Sequence, residues 1–435
     1  MYVFNRLDNG IRVVMENITY VNSVSIGVII GNGSIKEDKR INGISHFIEH
    51  MLFKGTKNRN AKDIAETIDN IGGQLNAFTG KEYTCYYAQV LDNHLSIAID
   101  VLGDMLNNSL FLEEDIEKEK GVVMEEVSMY LDSPEDLVYD LLNEIMFENT
   151  SLAYPILGTE ETIGRFRKDV LLDYFYENYT PENIVISLVG NLDIKNTMKL
   201  LNQYFGSFNR ERKKGSIKRK SNFKFIQNIK GLEKDIEQLN FCLGMEGVER
   251  GSDDTYPLLV MNNIFGGSMS SRLFQKIRED RGLAYSVYSH PSSYEDIGTF
   301  TIYAGLNSEQ IVNVVKLIDE DIKYIKKNLI SKDELIKSKE QLKGNYILGM
   351  EGTFSRMFEI GKSLLMLNKV QSPEEVLDQI NRVTIEDVEK IVKQIFDKNK
   401  FNIAYVGDLE NSEKVEKQIK DILFSWGDKY ESENN

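Results

Sequence analysis

Histidine is scarce in this 435-residue chain, with four residues, beside two cysteines, one tryptophan and six prolines. Cys85 and Cys242 are too few for a disulfide framework or a thiolate zinc site, so each is expected to be a free, buried thiol, and no redox chemistry is expected. Also missing is any apolar run approaching the ~18 residues that cross a bilayer. The opening MYVFNRLDNGIRVV lacks the basic segment and apolar stretch of a secretory leader. A cytoplasmic location without a membrane partner is the expectation. Bases are outnumbered, 52 against 68 acids, for a formal charge of -16. That balance argues against nucleic acid as a partner and suits basic ligands. With 41% hydrophobic residues and no low-complexity tract, the chain can bury sizeable cores, and its length favours two or more domains.

What is present is an internal repeat. NIVISLVGNLD (183–193) and FNIAYVGDLEN (401–411) are β-rich runs ending in Val-Gly-(Asn/Asp)-Leu, with Gly190 and Gly407 separated by 217 positions. The alternating Val24, Ile26, Val28 and Ile30 fall over Leu239, Phe241, Leu243 and Met245 at an offset of 215. A strand running into an amphipathic helix, 84–102, follows the course of 299–318 at nearly the same offset. The chain therefore reads as 1–212 and 226–435, two homologous halves joined by 213–225. That junction lies in a basic stretch, NRERKKGSIKRKSNFK (209–224), which has no apolar periodicity and reads as an exposed linker.

Each half shows strands, then helices, then a returning strand and a last helix, an α+β pattern rather than alternating βαβ units. NGIRVVMENI (9–18) and SVSIGVII (23–30) read as neighbouring strands. Helices are expected at about 43–55, 61–71, 93–108 and 113–131, and Ser133 and Pro134 supply the N-cap and first position of another.

Two of the four histidines stand in HFIEH (46–50). On a helix, His46, Glu49 and His50 occupy i, i+3 and i+4 and project from one face. His-x-x-Glu-His is the inverted order of the His-Glu-x-x-His arrangement, in which two imidazoles bind zinc and the carboxylate acts as base. A chain with four histidines and at most 68 glutamates would show it by chance about 0.006 times. Catalytic zinc takes a third protein ligand and keeps one position open. The acidic stretch EEDIEKEKGVVMEEVSMY (113–130) offers Glu119 and Glu126, seven apart and on one helix face, whereas Glu125 points about 100° away from Glu126. His94 and His290 lie outside the motif and read as surface or capping histidines.

HFIEHMLFKGT, followed 76 positions after its second histidine by Glu126, resembles the pitrilysin/insulinase family of zinc metallopeptidases, most of all the branch of bacterial processing-type peptidases and the mitochondrial processing peptidase beta subunit. The resemblance covers nearly the whole chain. It implies that His46, His50 and Glu126 hold one zinc per chain, that Glu49 is the general base and that Glu119 assists catalysis. It further implies that the edge strand Asn76, Ala77, Phe78, Thr79 aligns peptide by strand addition. SSRLFQKIREDRGLAYSVYS (270–289) is similar to the family's substrate-contacting segment, which makes Arg278 and Tyr285 the expected donors to the scissile carbonyl. NNIFGGS (262–268) stands opposite the histidine motif in the repeat, so the second half should hold no metal. The family fold implies a clam-like chamber admitting short or unfolded peptides, and a homodimer. Two other readings stay open at this point: a non-catalytic structural or assembly subunit with the peptidase fold, and a metal-dependent enzyme that is not a peptidase.

Overall fold

The computed structural model describes residues 2–208, 223 and 225–424. The junction 213–225 lies outside the described residues except for Phe223 and Phe225. Among the described residues no helix is long and apolar enough to cross a membrane.

The first sheet has six strands, β1 (Tyr2–Arg6), β2 (Arg12–Asn17), β3 (Ser23–Ile30), β4 (Gln74–Thr79), β5 (Thr84–Leu91) and β6 (Ile184–Gly190), in the order β1-β2-β6-β3-β5-β4. The second has five, β7 (Asn228–Leu232), β8 (Leu239–Glu246), β9 (Ala284–Ser293), β10 (Gly298–Leu306) and β11 (Asn402–Val406), ordered β7-β11-β8-β10-β9. Both are mostly antiparallel, with one parallel pair each, β2 with β6 and β7 with β11. Strand for strand, β2-β6-β3-β5-β4 has the same order as β7-β11-β8-β10-β9.

Contrary to expectation, the segments 9–18 and 23–30 are not neighbours, because β6 lies between them, parallel to β2 and antiparallel to β3. Every residue of β6 is buried. A strand apolar on both faces gains most in the middle of a sheet, and that outweighs the usual pairing of consecutive strands. The repeated Val-Gly stands at the end of β6 and of β11 for a steric reason. Gly190 and Gly407 have φ of 145° and 148°, and a Cβ at Gly190 would lie 2.1 Å from the Ser23 carbonyl oxygen.

Contacts divide the chain into two compact units that do not follow a single cut. The first is built from the chain up to Met129, a stretch beginning at Tyr154, and Ile347–Gln371. The second takes Tyr130–Ala153, a stretch ending at Tyr346, and the chain from Ser372. A helix is thus exchanged each way. Pro134–Met146, from the first repeat, packs on β7, β8 and β11, while Thr353–Leu367, from the second, packs on β2, β3 and β6. The latter helix can lie close because a glycine stands on each side of the contact, Gly27 on β3 and Gly361 on the helix. A Cβ on Gly27 would be 2.3 Å from Met357 Sδ, and one on Gly361 would be 2.5 Å from Ile29. Met357, Ile360 and Leu364 close a core with Val14, Ile18, Val185 and Val189, and Ser187 Oγ donates to the Met357 carbonyl (2.6 Å).

On the opposite face of the first sheet a larger core takes in the helices Ile44–Leu52 and Leu95–Asn108, whose apolar residues pack with β3, β5 and β6. The second unit repeats the plan with Thr255–Phe265 and Ile311–Asn328. Cys85 and Cys242 are buried free thiols on β5 and β8, and burial pushes both away from thiolate formation.

Candidate metal centre

The helix Ile44–Leu52 buries Ile44, Phe47, Ile48, Met51 and Leu52, and this fixes the direction in which its polar residues point. His46, Glu49 and His50 share the remaining face, with the two imidazole centroids 4.6 Å apart. The helix ends at Leu52, three residues before the expected 55. The turn that follows is tied to Asp104, which accepts from Thr56 Oγ1 (2.6 Å), Asn58 Nδ2 (2.6 Å) and the Arg59 guanidinium (2.8 Å).

The N-terminus of this helix begins on Gly43, at φ 90° and with no side-chain cap of its own. Glu37 takes over that task from the preceding loop. Its buried carboxylate accepts from Gly43 N (2.7 Å), Ser45 N (2.9 Å) and Asn42 Nδ2 (3.0 Å). A carboxylate at a helix N-terminus satisfies otherwise unpaired N–H groups and faces the positive end of the helix dipole.

The third side chain comes from the acidic helix Glu113–Leu131, which buries Ile116, Glu119, Val123 and Val127. The same seating presents Glu126 to the histidines. Its Oε2 lies 3.7 Å from His46 Nε2 and 3.4 Å from His50 Nε2, and one ligand atom from each of the three residues falls within 4.8 Å of the others. This is the only such cluster among the described residues. Glu125 is exposed and is not part of it.

Glu119, earlier on the same helix, is buried between His50 and Lys54. His50 Nδ1 lies 2.7 Å from its Oε1, and Lys54 Nζ 2.5 Å from its Oε2. Burial pushes the Glu119 carboxyl up, but the bonds from His50 and Lys54 outweigh it and hold the group below the usual carboxylate range. Burial likewise pulls His50 down, and the bond to Glu119 with the charges of Glu126, Glu119 and Glu49 reverses the direction. His46 is different: burial and the neighbouring His50 bring it down to about 3, so it is a neutral imidazole at neutral pH.

The donor set fits a divalent metal such as zinc. Two imidazole nitrogens and a carboxylate oxygen face one another, and Glu119 engages His50 at Nδ1, which leaves the Nε2 lone pair free for an ion. His46 Nδ1 is buried without a hydrogen-bond partner among the described residues, so the polar capacity of that ring is directed through Nε2.

Glu49 lies beside this cluster with 9% of its surface exposed, and burial raises its carboxyl above the ordinary range. Its Oε2 accepts a hydrogen bond from Thr79 Oγ1. Thr79 ends β4, an edge strand of the first sheet. On the same strand Ala77 N–H donates to Asn76 Oδ1 (2.8 Å), and Phe78 packs edge-on against Phe358 (5.2 Å).

Arg278 and Tyr285 belong to the second unit, where they meet each other. Arg278 lies on a π-helical turn, Phe274–Glu279, with its guanidinium 4.7 Å from the Phe274 ring centroid and 5.9 Å from that of Tyr285. Tyr285 is 77% exposed, so it is no core aromatic. Of the other two histidines, His94 precedes the helix Leu95–Asn108 at its N-cap position without capping it through its side chain. His290 departs from the surface reading: it lies on β9 with its ring 5.4 Å from Tyr139 and 6.0 Å from Tyr288.

Sequence gives no role to Glu37 or Lys54, and to Thr79 only that of an edge-strand residue, although each bonds a group at or beside the cluster. Lys54 and Thr79 stand inside quoted motifs, HFIEHMLFKGT and NAFT, but nothing local says what they bond. Glu37 carries no motif signal.

Two family models match the chain, "Insulinase (Peptidase family M16)" over residues 12–160 and "Peptidase M16 inactive domain" over 165–342. A Bacillus subtilis protein described as an uncharacterized zinc protease, YmxG, is 48% identical over 388 residues, covering 89% of this chain and 94% of the relative. A Streptomyces coelicolor protein, also described as an uncharacterized zinc protease, is 36% identical and covers 94% of this chain and 90% of its own. Among solved structures, a protease from Helicobacter pylori superposes with a TM-score of 0.88 at 21% identity, over 94% of this chain and 99% of the other. That likeness concerns the fold. The two family models follow one another along residues 12–342, and the Bacillus relative matches nearly end to end: the chain belongs to the insulinase family of peptidases, peptidase family M16.

Proposed function

We propose that the chain is a zinc-dependent endopeptidase with one metal ion per chain, held by His46, His50 and Glu126. The observation that carries this is the convergence of His46 Nε2, His50 Nε2 and a Glu126 oxygen beside a buried carboxylate, Glu49, in a chain of a peptidase family. Bound there, zinc supplies Lewis acidity toward the scissile carbonyl and the attacking water.

Glu49 accepts the proton of the water and passes it to the leaving amine, the inverted His-x-x-Glu-His motif thereby providing both ligands and base. Glu119 orients His50 through Nδ1 and keeps Lys54 beside it. Asn76, Ala77 and Phe78 align the peptide along the open edge of β4, where backbone groups are available for strand addition. Arg278 and Tyr285 donate to the developing oxyanion. This last role requires the repeats 1–212 and 226–435, joined by 213–225, to enclose the substrate in a chamber, which would select short or unfolded peptides. A homodimer in the cytoplasm completes the reading. The family model named for an inactive domain matches 165–342 and includes none of His46, His50 and Glu126, in keeping with a single metal site.

The test is hydrolysis of a quenched fluorescent peptide by the purified chain, with metal analysis alongside. About one zinc per chain is expected, with activity lost to a chelator and restored by zinc. Two stoichiometric sites, or chelator-resistant cleavage, would sink the reading. Glu126→Gln should weaken metal retention while Glu125→Gln leaves it unchanged; the reverse result would move the ligand by one residue.

A further inference from the structure

We propose that Thr79 is a positioning residue for the general base, a role that rests on Glu49 being that base: the Thr79 hydroxyl fixes one oxygen of Glu49 and reserves the other for the proton taken from water.

Hydrogen bonding around Thr79 leaves little freedom. Its Oγ1 has two polar neighbours, Glu49 Oε2 and Thr84 Oγ1, the latter at 3.4 Å. A hydroxyl has one proton to give. Thr84 commits its own to the Asn32 carbonyl (2.9 Å), so it cannot donate to Thr79. Asn32 is itself fixed, donating from Nδ2 to Ser45 Oγ (3.2 Å) and accepting from Tyr174 OH (3.1 Å). The Thr79 proton therefore goes to the carboxylate, which as an anion can only accept.

The consequence concerns where Glu49 can be protonated. With Oε2 occupied by a donor, an incoming proton is directed to Oε1, which has no hydrogen-bond partner among the described residues. Without the hydroxyl, the carboxylate could rotate and take its proton on either oxygen. Because Thr79 is the last residue of β4, the orientation of the base is also tied to the end of the edge strand.

The experiment compares Thr79→Val, which keeps the shape and loses the proton, with Thr79→Ser, which keeps the proton, in the zinc-loaded full chain. Glu49→Gln serves as the reference. Thr79→Val should lower kcat by about 10- to 100-fold with little change in KM, the size expected for a lost bond to a charged group. Zinc content and Tm should stay at wild-type values, and Thr79→Ser should recover most of the rate. Crystal structures of the zinc-loaded variants add a readout independent of activity: the Glu49 carboxylate should rotate in Thr79→Val and stay in place in Thr79→Ser. A wild-type rate in Thr79→Val while Glu49→Gln is inactive overturns the proposal alone. So does an equal loss in both Thr79 variants, or a fall in zinc or Tm that tracks the loss of rate. Wild-type hydrolysis that survives Glu49→Gln overturns the base assignment and this inference with it.

Discussion

Glu49→Gln should leave zinc bound and lower peptide turnover by roughly 10²- to 10⁴-fold, the range for removal of a general acid–base group. The amide keeps the shape of the carboxylate and an oxygen able to accept from Thr79, so the packing around the site has no reason to change. Its nitrogen carries protons and cannot take another from water. Glu49 is not one of the three clustered side chains, and so metal content should hold at about one ion per chain. The measurements are metal analysis and initial rates on a quenched fluorescent peptide. Turnover close to wild type would remove Glu49 from the chemistry; loss of zinc together with activity would make it a ligand.

The first repeat expressed alone, residues 1–212, should fail to fold into a cooperative zinc-binding unit. Sequence by itself suggests the opposite, since His46, Glu49, His50, Glu119 and Glu126 all lie within it. The first sheet, however, is covered on one face by Thr353–Leu367 from the second repeat. Removing that helix uncovers Val14, Ile18, Val185 and Val189 and discards Met357, Ile360 and Leu364. At about 1.5–3 kcal/mol per buried side chain, the loss is on the order of 10 kcal/mol, comparable with the whole stability of a domain. Polar contacts go with it: Ser25 Oγ to Thr353 Oγ1 (2.9 Å) and Glu16 to Arg356 (2.7 Å). Meanwhile Pro134–Met146 would lose the sheet it packs on, exposing Leu137, Val138, Leu141, Leu142 and Met146. Thermal unfolding and metal analysis of the fragment decide the matter. A cooperative transition with about one zinc bound would show that the exchanged helix is dispensable.

Local chemistry accounts for what could be read in advance. Helical spacing places His46, Glu49 and His50 on one face whatever surrounds them, and a seven-residue spacing does the same for Glu119 and Glu126. Ser133 and Pro134 mark a helix start because Pro is suited to the first helical position, and Pro134–Met146 begins there. The repeat was legible because Gly190 and Gly407 answer the same steric demand at matching turns.

The sequence by itself therefore determined the mixed helix-and-sheet class, the duplicated strand pattern and the residues able to form a metal cluster. The tertiary structure alone decided that β6 separates β2 from β3, that each sheet is covered by a helix from the other repeat, and that Thr79, Lys54 and Glu37 bond to the residues around the cluster. The physical reason is one of range. Periodicity within an element says which face is apolar, but not which apolar surface will cover it, and two amphipathic helices of similar pattern carry no label for their sheets. That choice depends on close approach at Gly27 and Gly361, and on hydrogen bonds between residues far apart in the chain, such as Ser187 to Met357, which exist only once the chain has folded.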